Sequence, residues 1–239
     1  MELIWEGTKQ AILLLVRGDP EVLRIALLSL QVSGTATLLS LLVGIPLGTV
    51  LALTRFPGRN FAMSLVNTGM GLPPVVVGLF VTIFLWRSGP LGLLELLYTP
   101  TAIVIAQLVI AAPIVTGLTV AAVQQLNPKL RLQLIGLGAS RLQVVWLLLK
   151  EARLPLLAAV MAGFGAVISE IGAAIMVGGN IYRQTRVLTT ATVLETSKGN
   201  FDMAIALSLL LLLLAFAVNW ALTWIQQRGG HLDRADPRP

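Results

Sequence analysis

Residues 25–53 run without a single charged side chain and are rich in Leu, Val, Ala and Gly. A helix of about 20 apolar residues crosses a hydrocarbon core of roughly 30 Å, so this stretch is easily long enough to span a membrane. Comparable apolar stretches follow at 61–86, 100–123, 154–177 and 203–227. The expected fold class is therefore all-α integral membrane, with about five transmembrane helices. Composition agrees, since 56% of residues are hydrophobic and 12% charged, against roughly half and a quarter in soluble domains. No separate polar, charge-rich block of about 100 residues is present, so one membrane domain over 25–227 is expected.

Residues 1–24 hold only a short apolar run between charged flanks, too short to span and without the basic start of a signal peptide. They read as an amphipathic helix on the membrane surface, the other reading being a frayed terminus, with Asp19-Pro20 opening the next helix. In the first span Gly44 and Gly48 share one helix face, either for close approach of a neighbour or for lipid packing alone, and Pro46 is a candidate kink. The second span is interrupted by Gly69, Gly71, Pro73 and Pro74, and two prolines that cannot donate helical hydrogen bonds force a break or a fresh start. Broken helices in membranes occur where protein or a wet cavity satisfies the freed backbone, so Pro73 and Pro74 are candidates for a transport path; the other reading is a long loop before a helix starting at Pro73. A Gly- and Pro-containing loop over 88–99 leads to the third span, where Pro113 is a candidate kink and Ala111, Ala112 and Gly117 form a small-residue contact face. Trp220 and Trp224 anchor the end of the last span, and 228–239 reads as a polar, disordered cytoplasmic tail.

Between spans three and four lies a basic hairpin, 127–153. Asn127-Pro128 is a helix start, Gly136 and Gly138 are able to take the left-handed conformation that ends a helix, and Ser140 with Gln143 forms a capping-box pattern that starts the next. Lys129, Arg131, Arg141, Lys150 and Arg153 mark this side as cytoplasmic by the positive-inside rule. Five spans then place the N-terminus outside and the C-terminus inside. The net charge of +6 follows from this topology and calls for no nucleic-acid partner.

Glu170 is the one acid inside an apolar segment. A charged residue at the centre of a membrane helix costs about 2.5–3.5 kcal/mol on insertion scales, so it should face the bundle interior or a wet cavity. Three readings stay open: a structural glutamate bonded to backbone amides of a neighbouring helix, a group on the transport path, or a proton-coupling site. Asn180, after Gly178-Gly179, is placed to satisfy backbone groups at the exit turn.

The run Leu137-Gly138-Ala139-Ser140 with a later Leu154-Pro155 resembles the cytoplasmic signature loop of ABC importer permeases. Leu132, Gln133 and Leu134 stand where that signature has Glu-Ala-Ala, and the Leu-Pro pair falls about one helical turn late. Residues 168–181, ISEIGAAIMVGGNI, together with the segments around Thr185 and Leu194, resemble the molybdate, sulfate and especially tungstate permeases of that group. The Gly71-Leu-Pro-Pro-Val segment resembles the oxyanion importers too. The resemblance implies a type I importer permease, a non-enzymatic homodimer with two ATPase subunits beneath it and an extracytoplasmic binding protein above. Gly138, Ala139, Ser140, Arg141 and Leu142 would then enter a groove of the ATPase.

No Walker A pattern occurs in the chain, so ATP would be bound by the partner and the chain itself needs no cofactor. A self-sufficient channel or ion-coupled carrier is the competing class, supported only by one buried acid. With no cysteine, and His231 in the polar tail as the only histidine, thiolate and multi-histidine metal sites are excluded. A membrane enzyme is a distant third class, because no histidine lies within any span to serve as a general base or metal ligand, and no catalytic residue is assigned. Ser169, Glu170, Asn180, Thr189 and Thr190 join Pro73 and Pro74 as candidate path or gate residues. Gly44, Gly48 and Gly163 are candidate packing positions.

Overall fold

A computed structural model describes residues 5–9, 12–13 and 18–234, and all regular structure among them is helical. Helix α1 spans Pro20–Leu53. It begins where expected, because the Asp19 carboxylate accepts the free N–H groups of Glu21 and Val22 at 2.9 and 3.1 Å and Pro20 needs no partner there. Helices α2 (Arg59–Met70) and α3 (Pro74–Leu85) follow, then a 3-10 turn and α4 (Pro100–Gln124). The hairpin is α5 (Pro128–Gly136) and α6 (Arg141–Glu151). After it come α7 (Arg153–Ile168), α8 (Gly172–Gly178), α9 (Leu188–Ser197) and α10 (Phe201–Arg234).

Three of these helices, α1, α4 and α10, are long and apolar enough to span; the pairs α2–α3 and α7–α8 each make one broken span, which gives up to five crossings. The break between α2 and α3 falls at the expected prolines and turns the chain by 104°. The fourth span differs from the unbroken helix expected over 154–177. It stops at Ile168 and restarts at Gly172 with a 58° bend. No proline marks this place, and side chains hold it open, as set out below. Helix α9 was not expected either.

Helix α4 is the hub and packs on α1, α2, α3, α7 and α8. A Cβ on Gly44 would lie 2.8 Å from Val115 Cβ, and one on Gly48 would lie 2.7 Å from the Thr116 carbonyl oxygen. Both glycines thus serve helix contact, not lipid packing, and the register shows that α1 and α4 run parallel. Gly163 meets the same Val115 from α7, at 3.1 Å. The polar residues buried at this seam satisfy themselves locally, since Ser29, Thr37, Ser40 and Thr49 donate to the carbonyl of the preceding turn. Ser29 also accepts the Leu188 N–H at 2.8 Å, which ties α1 to the start of α9.

One apolar core joins Val32 of α1, Val77, Val81 and Leu85 of α3, Ile103 and Ile110 of α4, and Ala173 and Val177 of α8. A second joins Val22 and Ile25 to Leu188, Leu207 and Leu210. Residues 5–9 are helical and lie against α10, where Gly7 fits beside Ile205; the rest of the expected 1–24 surface helix falls partly outside the described residues. The polar tail expected to be disordered from residue 228 instead continues α10 through Arg234. A helix nucleated in the bundle extends at little cost, and no proline intervenes there to stop it. Residues 235–239 lie outside the described residues.

Candidate coupling hairpin and helix-break junction

The hairpin is fixed by its backbone bonds at one end of the bundle. Asn127 Oδ1 accepts the Lys129 N–H at 3.0 Å and starts α5. At its end the N–H of Ala139 bonds to Leu134 O and that of Gly138 to Ile135 O, the Schellman arrangement. Gly138 takes φ +83°, where a side chain would be strained. Gly136 remains helical, so the expectation of two left-handed glycines holds only for Gly138; one such residue completes the motif. Both bonds of the Ser140–Gln143 capping box are formed, at 2.8 and 3.4 Å. Val144 and Leu148 anchor α6 inward, while Leu137 and Leu142 are 85% and 82% exposed on either side of Gly138, Ala139, Ser140 and Arg141. A rigid turn therefore presents two bare leucines at its tip.

Deeper in the bundle, the two broken spans meet. Gly78 of α3 packs against Ala173 of α8, where a Cβ would lie 2.7 Å from Ala173 Cα, and Gly172 sits against Val75, just after Pro73 and Pro74. At the break itself Glu170 is 5% exposed. Its Oε1 accepts the Ala173 N–H at 2.8 Å and its Oε2 the Ala174 N–H at 2.9 Å, so the carboxylate caps α8 with both oxygens. The neutralising partner expected for this acid is thus a pair of amides of its own following helix, aided by the positive end of the helix dipole.

Neighbouring groups complete the junction. Thr189 of α9 donates to the Glu170 carbonyl at 2.9 Å, and Gln107 of α4 donates through Nε2 to the Val167 carbonyl at 2.9 Å. Thr190 Oγ1 both accepts from and donates to the Val187 backbone. Asn180, at φ +49°, donates through Nδ2 to the Thr190 carbonyl at 3.3 Å. Thr185 closes the far end of α8 by donating to the Gly178 carbonyl while accepting the Ile181 N–H. Ser169 alone of the polar residues at the break is exposed, and its hydroxyl turns back to Gly165 O at 2.8 Å.

The bundle end away from the hairpin carries a charged cluster. Tyr182 donates its hydroxyl to Glu21 at 2.8 Å, with the Arg183 and Arg186 guanidiniums about its ring at 5.1 and 5.2 Å. Lys198, bonded to Glu195 at 2.8 Å, holds that carboxyl below its ordinary value, and Asn200 adds a second bond in the same sense.

Residues 44–230 match the family described as "Binding-protein-dependent transport system inner membrane component". The chain belongs to this family. Among the relatives of this transport component, the tungstate uptake system permease protein TupB of Peptoclostridium acidaminophilum is 42% identical over 95% of this chain and 100% of its own. The protein of the same name from Campylobacter jejuni is 37% identical over 92% of each. In fold, the component is similar to a chain of the MetNI methionine ABC transporter in an inward-facing conformation, with a TM-score of 0.70 at 20% identity over 88% of this chain and 98% of that one.

Of the candidate residues in this transport component, Glu170, Asn180, Thr189 and Thr190 gather at one junction with Pro73 and Pro74 nearby. Their polar groups are spent largely on backbone, however, and little faces open space. Sequence reasoning missed Gln107, although it is the only amide within the third apolar stretch. It named Leu137 in the signature run but left it out of the residues expected to enter the ATPase groove. A third omission is the polar face of α2: Asn60, Ser64, Asn67 and Thr68 are exposed on one side of a helix that buries none of its residues. Their helical spacing was legible but was read as part of an apolar span.

Proposed function

We propose that this chain is the membrane-spanning subunit of an ATP-driven importer of tungstate, working as one of two identical copies. The observation that carries the reading is the 42% identity with a tungstate permease along that relative's entire length. The hairpin supports the mechanism. A separate ATPase receives its leucine-tipped turn in a groove, with Arg141 meeting an acid or carbonyl at the rim, a helix-in-groove contact. The N-terminus lies outside and the hairpin and C-terminus in the cytoplasm, so the charged cluster of Glu21, Tyr182 and Arg186 faces an extracytoplasmic binding protein.

ATP is bound by the partner, not by this chain. Closure of the ATPase pair favours one arrangement of the two hairpins, and hence the outward-facing bundle; hydrolysis removes that preference and the bundle returns. The stiffness of the hairpin matters here, because a floppy lever would absorb the motion. Glu170 serves as the cap that keeps α8 bent away from α7, not as a ligand, since a carboxylate would repel a dianion.

The test is co-purification from native membranes, followed by ATP hydrolysis and uptake in proteoliposomes with tungstate, molybdate and sulfate, each with the binding protein. Stimulation at the lowest concentration by tungstate is expected. Preference for another oxyanion would change the cargo and keep the machine. Anion passage by the purified chain without ATPase or ATP would overturn the subunit reading in favour of a channel or carrier.

A further inference from the structure

Helix α2 carries an exposed polar face. Asn60, Ser64, Asn67, Thr68 and Gly71 follow the spacing of one helix side, within an arc of about 100° at 3.6 residues per turn. The opposite side meets α4, with Gly69 against Pro113 and Met70 against Gly117. The stripe therefore points away from the protein core. Its depth is fixed at both ends: Arg59 donates through Nε to the Leu51 carbonyl at 2.8 Å near the hairpin end, while Gly69 lies at Pro113, halfway along α4. The stripe thus runs from the α2–α3 break to the hairpin end of the bundle.

Among the described residues, the side chains of Asn60, Ser64, Asn67 and Thr68 make no hydrogen bond. The contrast with the other helices is informative. Several buried hydroxyls of α1 and α4, such as Thr37, Ser40 and Thr116, are bonded back to their own helix at 2.7 Å, although the buried Thr119 hydroxyl of α4 has no partner. An unbonded amide or hydroxyl in hydrocarbon costs about 2–7 kcal/mol, so four of them are not tolerated against lipid tails. Water has to reach them.

We propose that this stripe lines the hairpin-side half of the anion route, with Arg55 and Arg59 at its mouth; this rests on the importer reading above. The chemistry fits a divalent oxyanion in transit. Amide and hydroxyl donors bond its oxygens without a fixed charge, and conduction needs contacts strong enough to admit the ion and weak enough to release it. No acid lies on the stripe, and Glu170 is turned inward onto α8. At the mouth Arg55, Phe56, Gly58, Arg59 and Asn60 surround a cavity of about 320 Å3, where two guanidiniums draw the anion toward the exit. Gly71 and Pro73 at the break, both exposed, mark where the stripe meets the other half of the route.

The chain has no cysteine, so single substitutions report directly. Asn60→Cys, Ser64→Cys, Asn67→Cys and Thr68→Cys are made in the full complex with its ATPase and binding protein, beside Leu212→Cys on the exposed apolar face of α10. The probe is a negatively charged, membrane-impermeant methanethiosulfonate applied from the hairpin side. The stripe positions should react at least 10-fold faster than Leu212→Cys, and tungstate on that side should slow them. Rates no faster than at Leu212 would mean that lipid or the second copy covers the stripe, and would overturn the proposal. Fast labelling that tungstate leaves unchanged would also overturn it, as would full uptake by the Ser64→Leu/Asn67→Leu double variant in an intact, ATP-hydrolysing complex. Failure of the unsubstituted complex to import any oxyanion is a separate result, which counts against the importer reading.

Discussion

Replacing Glu170 by glutamine separates a structural cap from a transport group. The carboxylate accepts two backbone N–H groups, one on each oxygen, at 2.8 and 2.9 Å. Glutamine has nearly the same shape but only one acceptor, and its NH2 would be set against an amide N–H that also needs an acceptor. One charge-assisted bond, worth about 1.5–3 kcal/mol, is lost and the other becomes neutral, worth about 0.5–1.5 kcal/mol. Because Glu170 is buried, water does not readily replace the missing partner, and a total loss of about 2–4 kcal/mol is expected. At roughly 2–4 °C per kcal/mol for a chain of this size, the melting temperature should fall by about 5–15 °C. Thermal stability of the detergent-purified complex, read by size-exclusion after heating, checks the figure, with ATP-driven uptake measured on the same preparation. An unchanged melting temperature would refute the cap. A stable, ATP-hydrolysing Glu170→Gln complex without uptake would refute the purely structural role and return the acid to the path.

Three other substitutions probe the packing and the lever. Gly48→Leu puts a side chain onto the Thr116 carbonyl and Thr119, so a loss of about 1–3 kcal/mol or more is expected, whereas Gly34→Leu, with nothing within 4 Å, should melt like the parent. Gly138→Val forces a β-branched residue to φ +83° at a cost of about 1–2 kcal/mol; the chain should still insert, but ATP hydrolysis should no longer drive uptake, and full transport would sink the lever argument. Leu137→Glu with Leu142→Glu should abolish recovery of the ATPase on co-purification, while the membrane chain itself keeps its melting temperature, because both side chains are exposed. Retention of the ATPase would place the docking surface elsewhere.

The spans, the hairpin and the first break were legible because each is written in local chemistry. Asp19-Pro20, Asn127-Pro128 and Ser140 with Gln143 cap their helices through atoms within a few residues, and Pro73-Pro74 breaks a helix wherever it occurs. The second break was not legible, because nothing local demands it. Ser169-Glu170-Ile171 could continue a helix. The bend persists because Gln107, 60 residues away in sequence, takes the Val167 carbonyl and Thr189 of α9 takes that of Glu170. Tertiary partners that donate to the freed carbonyls let a helix stop without a breaker in its sequence. The same logic relocates the path. Sequence reading selected polar residues near the break, yet burial beside a break is where a polar side chain finds backbone to satisfy and has least left for a solute. The proposed route follows instead exposed polar groups that bond nothing within the chain, and those of α2 are hidden from a hydropathy reading because Phe61, Met63, Leu65 and Val66 alternate with them.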